Sequence, residues 1–87
     1  MKIEIRKSFE KDAKKLSAEV KVHLYKLIQQ VKNAKDLSEI PVCKKLTGYK
    51  NAYRLRLGSF RVGVFYESGT VELVRVLNRK EIYKYFP

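Results

Sequence analysis

The chain has 87 residues, of which 45% are hydrophobic and 33% charged, and its formal net charge is +11. This length and apolar content predict one folded domain, residues 1–87, and exclude both a disordered basic tail and a membrane-spanning helix. The single cysteine, Cys43, excludes an internal disulfide, and with the lone His23 it is too little for a zinc site, so we expect no metal and no other cofactor.

The first half of the chain predicts one strand followed by two helices. Residues 2–6 alternate polar and apolar side chains, which is typical of a short strand and unlike a signal peptide. Ser8 is expected to cap a short helix, and Ser17 a longer one with apolar residues at helical spacing. The missing signal peptide and the single cysteine favour a cytoplasmic location.

The second half alternates with the period of two that is typical of strands. Residues 37–49 look irregular, and the alternation then predicts strands at residues 52–57, 60–67 and 71–77. Asn78 is expected to cap a final helical turn. The predicted fold is α+β, with a helical hairpin packed on one face of a mostly antiparallel sheet in the order β-α-α-β-β-β.

Three arginines are predicted to share the face of the sheet that the hairpin leaves open. Arg54 and Arg56 alternate with apolar residues on one strand, and Arg61 lies across a two-residue turn on the next. Burying three unpaired guanidinium groups would be very costly, so they are expected to meet solvent or anions. Arg75 is either a fourth cation on this face or the partner of a glutamate.

The charge distribution favours an anionic partner. No acidic residue occurs between Cys43 and Tyr66, while six lysines and arginines do. Arginine suits phosphate recognition, and the aromatic residues of this half could stack on bases. Nucleic acid, an anionic membrane surface and an acidic protein all stay open on this ground, and there is no apolar span that favours the membrane.

Three segments together resemble the RelE/ParE superfamily of bacterial toxins. They are KLTG (residues 45–48), YRLRLGSFRV (53–62) and NRKEIY (78–83), in the order and approximate spacing of that superfamily. The resemblance covers nearly the whole chain and implies the toxin of a type II toxin–antitoxin pair. The RelE branch cleaves mRNA in the ribosomal A site, whereas the ParE branch is associated with gyrase inhibition.

The resemblance also implies roles for individual residues. Arg56 stands where a lysine is commonly proposed as general base, although arginine, with a pKa above ~12, is a poor proton acceptor. Arg61 matches an arginine that holds the scissile phosphate, and Tyr83 a tyrosine that stacks on the substrate base. Arg79 matches the group that protonates the leaving oxygen, and Lys80 is the alternative because the spacing to Tyr83 is short.

The remaining expectations concern RNA, partners and competing functions. We expect further RNA contacts from the residues Lys44, Lys45, Lys50, Arg54, Lys80 and Tyr85. The implied chemistry is attack of an RNA 2′-OH on the adjacent phosphodiester, without a metal. The implied partners are the mRNA, the ribosome and an acidic antitoxin that docks on the helices and the sheet edge in a hetero-oligomer, with no membrane. Gyrase inhibition by binding, or a basic nucleic-acid-binding module without catalysis, remain the alternatives.

Overall fold

A computed structural model describes residues 1–87. The elements in chain order are β1 (Lys2–Ile5), α1 (Lys7–Lys14), α2 (Ala18–Asn33), a short 3-10 helix (Leu37–Glu39), β2 (Cys43–Lys45), β3 (Ala52–Leu57), β4 (Phe60–Glu67), β5 (Thr70–Asn78) and α3 (Arg79–Tyr85). The five strands form one sheet in the order β1-β5-β4-β3-β2. β1 pairs with β5 in parallel and all other pairs are antiparallel. The predicted α+β fold is confirmed. None of the helices is both long and apolar enough to cross a bilayer.

The segment expected to be irregular contains an edge strand. β2 pairs with β3, so that Cys43 lies opposite Leu55 and Lys45 opposite Tyr53. Its three residues are too few to show a period, and the pairing that makes them a strand comes from β3, not from their own sequence. Before β2, Asp36 and Glu39 form a capping box around the 3-10 helix, which fixes the path of the chain into this edge.

Helix α1 lies along the part of β5 that β1 does not reach. Helix α1 begins at Lys7 after Arg6 as its N-cap residue, so Ser8 lies inside the helix and the expectation that it caps α1 is wrong. The Ser8 hydroxyl donates to the carbonyl of Val74 at 2.6 Å. The Asp12 carboxylate accepts from the backbone N–H of Val76 and from the guanidinium of Arg75. Arg75 is therefore neither a fourth cation of the open face nor the partner of a glutamate. The expected cap of α2 by Ser17 is confirmed.

Two apolar clusters lie on opposite faces of the sheet. The larger one holds 13 buried residues and packs α1 and α2 against the inner positions of β3, β4 and β5. The smaller one joins Ala52 and Val74 of the sheet to Ile82 and Phe86 at the end of the chain. The face expected to stay open is thus covered in part, because the predicted helical turn is a seven-residue helix that buries Ile82, and Phe86 directly after it is buried as well.

A glycine in β4 gives α3 its seat on that second face. Gly63 lies at a register shift where β5 carries one extra residue, Val74. The ring of Phe86 fills the space above Gly63, and a Cβ built on this glycine would lie 2.5–2.7 Å from three ring carbons. Phe65 flanks the ring with its centroid at 5.2 Å. The absence of a side chain at residue 63 therefore allows α3 to pack beside Arg54, the residue opposite Gly63 on β3.

Candidate nucleic-acid interface

Strand pairing brings four cations onto the part of the second face that α3 leaves open. Lys44 of β2 lies directly opposite Arg54 of β3. Arg56 of β3 lies directly opposite Arg61 of β4, next to the hairpin turn. Like charges directly opposite each other on a sheet are destabilising. These two pairs therefore do not stabilise the sheet by themselves, and an anion bound between the cations would relieve their repulsion.

Tyr83 of α3 completes the cluster from the other side. The Arg54 guanidinium carbon lies 4.5 Å from the centre of the Tyr83 ring. Hydrogen bonding from Arg54 and then its positive charge lower the pKa of the Tyr83 hydroxyl, and the charges of Arg61 and Lys44 act in the same direction. The guanidinium lies over the ring face, so its positive charge is the cause that this geometry supports best. The structure thus joins the arginine strands and Tyr83, which the sequence separates by more than twenty residues.

These side chains surround a cavity of about 310 Å³, which we call the arginine cavity. Its lining consists of Pro41, Val42, Cys43, Lys44, Arg54, Arg56, Arg61 and Tyr83. The lining includes four cations and no carboxylate. A site with this charge and these planar, forked donors fits a phosphate group held from several directions.

Arg61 is oriented by the hairpin in which it lies. Its Nη1 donates to the carbonyls of Gly58 and Phe60, both at 2.8 Å. The Nε and Nη2 donors take no partner within the protein. One edge of the guanidinium is therefore fixed, while the other keeps its hydrogen-bonding capacity for a ligand.

A second cavity of about 350 Å³ continues the first along the face, and we call it the Tyr49 cavity. The two cavities share Lys44, Arg54 and Tyr83 in their linings. The Tyr49 cavity adds Lys45 at the end of β2, Leu46 and Tyr49 from the loop between β2 and β3, and the apolar Phe86. The Lys45 ammonium donates to the Tyr49 carbonyl at 2.6 Å, which holds the loop against the end of β2.

The sequence and the fold are similar to those of known toxins. A protein described as toxin RelE3 from Methanocaldococcus jannaschii is 36% identical over 88 residues, which span 100% of both sequences. The chain belongs to the RelE family of toxins. The RelB–RelE antitoxin–toxin complex from Methanococcus jannaschii aligns with a TM-score of 0.82 and 34% identity, over 97% of this chain and 99% of that one. The intact RelBE complex from E. coli aligns with a TM-score of 0.72 over 88% and 94% of the chains, but at 20% identity it shows the shared fold alone. No protein-family model matches the sequence.

The membership confirms the RelE side of the resemblance at the level of the family. The relative with 36% identity is archaeal, so the bacterial source that the resemblance implied is not confirmed. The roles that the resemblance implies for individual residues stay predictions, and the structure shows which of these residues line the two cavities and which lie outside them.

Five of the expected residues line the arginine cavity and a sixth, Lys45, lines the Tyr49 cavity. Arg79 and Lys80 lie exposed in the first turn of α3, outside both linings. Arg79 is one turn before Tyr83, and its backbone N–H donates to the carbonyl of Ser59 in the hairpin next to Arg61. It therefore lies at the Arg61 end of the surface.

Two expected RNA contacts lie apart from the cavities. The Tyr85 ring stacks against Arg75, with 5.4 Å from the guanidinium carbon to the ring centre. Helix residues that are two positions apart point to nearly opposite sides, so Tyr85 cannot share the surface of Tyr83. Lys50 is exposed in the loop before β3 and lines neither cavity. Their proposed contacts would have to be with parts of an RNA beyond the two cavities.

The wall of the arginine cavity that sequence reasoning missed is formed by Pro41, Val42 and Cys43. These residues belong to the segment read as irregular, and only the pairing of β2 with β3 brings them to the site. Burial, aided by the charge of Asp36, raises the pKa of the Cys43 thiol to about 11. Cys43 is therefore a wall residue of low reactivity. Tyr49 was not assigned to the site either, although an aromatic residue directly before Lys50 in the basic half of the chain was a usable signal.

Proposed function

We propose that this RelE-family chain is the toxin of a toxin–antitoxin pair and that it inhibits translation by cleaving mRNA in the ribosomal A site. The observation that carries the proposal is the arginine cavity, in which Arg54, Arg56, Arg61 and Tyr83 surround one open space without a carboxylate. A phosphodiester fits this space, because guanidinium groups bind phosphate oxygens through paired, charge-assisted hydrogen bonds.

In the proposed reaction the RNA 2′-OH attacks the adjacent phosphorus. The bond from phosphorus to the 5′-oxygen breaks, which leaves a 2′,3′-cyclic phosphate on one fragment and a 5′-OH on the other. Such a reaction depends on in-line positioning and on stabilisation of charge at the phosphate. Arg61, oriented by its hairpin, and Arg56, opposite it, would provide that stabilisation. Neither arginine can accept the proton of the 2′-OH.

Tyr83 is proposed to accept the proton of the 2′-OH, and Arg79 is proposed to act on the leaving 5′-oxygen. Tyr83 lies over Arg54, and its lowered pKa favours the loss of its phenolic proton more than in an isolated tyrosine. Arg79, at the Arg61 end of α3, would donate the proton that converts the leaving 5′-oxygen into the 5′-OH, with Lys80 beside it as the alternative. Catalysis by this set alone would be weak, because no imidazole or carboxylate lines the cavity. The proposal therefore requires the ribosome to orient the mRNA and places the protein in the cytoplasm.

The proposal assigns no metal to the reaction. Catalytic metal ions are usually held by carboxylates or imidazoles, and the lining of the arginine cavity contains Cys43 as its one customary ligand. Charge on the phosphate would be neutralised by the arginines instead.

The proposed partner is an acidic antitoxin encoded beside this gene. The solved relatives include RelB–RelE complexes, and this chain has a net charge of +11 that an acidic segment would offset. Val22 exposes 52% of its surface on α2 and would give such a segment an apolar contact. Purification from the native host should return a small acidic protein in a hetero-oligomer; recovery of the toxin alone would contradict this part of the proposal.

The decisive test is cleavage by Arg61→Ala on programmed ribosomes in single-turnover conditions. We expect a loss of at least ~100-fold, which is the usual scale for removing one donor to a transition state. Arg61→Lys should recover little, because a point charge does not replace the planar fork. Lys21→Ala, which removes one positive charge from exposed α2, is the control for net charge. Melting curves of all variants should agree closely; cleavage by Arg61→Ala at the parent rate would refute the assignment.

Primer extension after induction separates the alternatives. Cuts in phase with codons support mRNA cleavage on the ribosome. Uncut mRNA with stalled gyrase–DNA complexes would replace the proposal by inhibition of gyrase. If neither result is observed, a binding module without catalysis is the remaining alternative.

A further inference from the structure

The Tyr49 cavity has the composition of a nucleoside site. Its lining combines the exposed charges of Lys44 and Lys45 with the apolar side chains of Leu46 and Phe86. Tyr49 exposes 50% of its surface at the rim. Planar bases bind proteins by stacking on aromatic rings, while lysines track the phosphates beside them. A volume of about 350 Å³ is within the range of small-ligand sites.

The loop that carries Tyr49 is built to present this side chain. Gly48 has a φ of +86°, a left-handed conformation that favours glycine, and it reverses the chain just before Tyr49. The Tyr49 N–H lies 3.4 Å from the carbonyl of Leu46, and the Tyr49 carbonyl accepts from the Lys45 ammonium. The backbone on both sides of the ring is thus tied to the end of β2, whereas the ring itself stays free to meet a ligand.

The Tyr49 cavity is continuous with the arginine cavity, and this continuity indicates which ligand it binds. Lys44, Arg54 and Tyr83 line both cavities, so a strand whose phosphate lies among the arginines reaches the Tyr49 cavity with its next nucleotide. We propose that the Tyr49 cavity is a second nucleotide subsite, in which a base next to the scissile phosphate stacks on Tyr49. This inference rests on the proposed RNA cleavage and extends it to a residue that contributes to RNA binding and sequence preference.

The test compares Tyr49→Leu with Tyr25→Leu on programmed ribosomes. Tyr25 is an exposed tyrosine on the outer side of α2 and is the matched control. Tyr49→Leu should raise the toxin concentration for half-maximal cleavage by about 5-fold or more, the scale of one lost base–aromatic stack. The single-turnover rate at saturation should stay within about 2-fold, since Tyr49 contacts a base and not the 2′-OH, the phosphate or the leaving oxygen. Tyr49→Phe keeps the ring and should behave like the parent.

An abasic nucleotide locates the base that stacks. Placed at each position beside the scissile phosphate in turn, it should weaken cleavage by the parent at one position and add little to the loss in Tyr49→Leu there. The subsite is refuted if Tyr49→Leu cleaves like Tyr25→Leu, or if the two losses add in full at every position. When Arg61→Ala is inactive and Tyr49→Leu is unaffected, only the subsite fails. When the parent leaves RNA uncut, the proposed function fails and the subsite fails with it.

Discussion

Gly63→Ala should release α3 from the sheet at a cost that the structure allows us to estimate. The new Cβ would lie 2.5–2.7 Å from three carbons of the Phe86 ring, whereas carbon atoms pack at about 3.5–4.0 Å, so the ring must withdraw by about 1 Å or more. Overpacking of this kind costs about 1–3 kcal/mol. The upper limit is complete detachment of α3, which exposes Ile82 and Phe86 at about 1.5–3 kcal/mol each. The lower backbone entropy of alanine in the unfolded chain offsets up to about 1 kcal/mol.

The assay is urea unfolding of Gly63→Ala, Phe86→Ala and the double variant. We expect Gly63→Ala to lower the free energy of unfolding by about 1–3 kcal/mol, and the double variant to lose clearly less than the sum of the single variants, because Phe86→Ala removes the clash. Displacement of α3 should also move Tyr83 away from Arg54 and return the pKa of its hydroxyl towards 10.0, which ultraviolet titration measures. Unchanged stability, or full additivity with Phe86→Ala, would refute the reasoning.

Three further predictions concern other parts of the fold. Asp12→Asn should lower the free energy of unfolding by about 2–3 kcal/mol in urea titrations, less than for a fully buried pair because the Arg75 side chain is 25% exposed; a loss below about 0.5 kcal/mol would contradict the role of this ion pair. Hydrogen bonding from the Ser38 N–H holds the pKa of Asp36 below 3.8, so its contribution to stability is present above about pH 4 and lost as the pH falls through the folded-state value; Asp36→Asn should flatten this acid dependence, and an unchanged curve would count against it. The Cys43 thiol, with a pKa of about 11 against 9.0, should react with iodoacetamide about 100-fold more slowly at neutral pH in the native state than in urea, and equal rates would show that the thiol is not protected.

Much of the fold could be predicted because the local patterns in the sequence agree with the packing. β3 and β4 fall at the predicted residues, since alternation and the two-residue turn between them both specify a hairpin. β2 could not be predicted, because a three-residue edge strand is defined by its partner. The interpretation of Ser8 was wrong for a related reason. A serine near a helix start is a good cap in isolation, but α1 starts one residue earlier, and the hydroxyl of Ser8 donates to the Val74 carbonyl of β5.

The candidate site was predictable where it depends on strand alternation and not where it depends on distant segments. The shared face of Arg54, Arg56 and Arg61 follows from the hairpin register alone. The stacking of Tyr83 on Arg54 requires α3 to cross the sheet, and this depends on the notch at Gly63. A glycine in a strand signals close approach of another group, but it does not reveal which segment approaches.

The second face of the sheet also separates its charges, and this bears on how an RNA would be oriented. The arginine cavity lies at the β2 end, while a cavity of about 570 Å³ at the β1 end is lined by Glu4, Glu67 and Glu72 with Arg6 as its one cation. Arg6 is already engaged, because its guanidinium bonds Glu72 at 3.0 Å. An anionic strand would be attracted to the first cavity and repelled from the second, so attraction and repulsion together would restrict it to the β2 side of the sheet. A uniformly basic face would bind RNA in many registers, whereas cleavage at one phosphodiester requires a single register among the arginines.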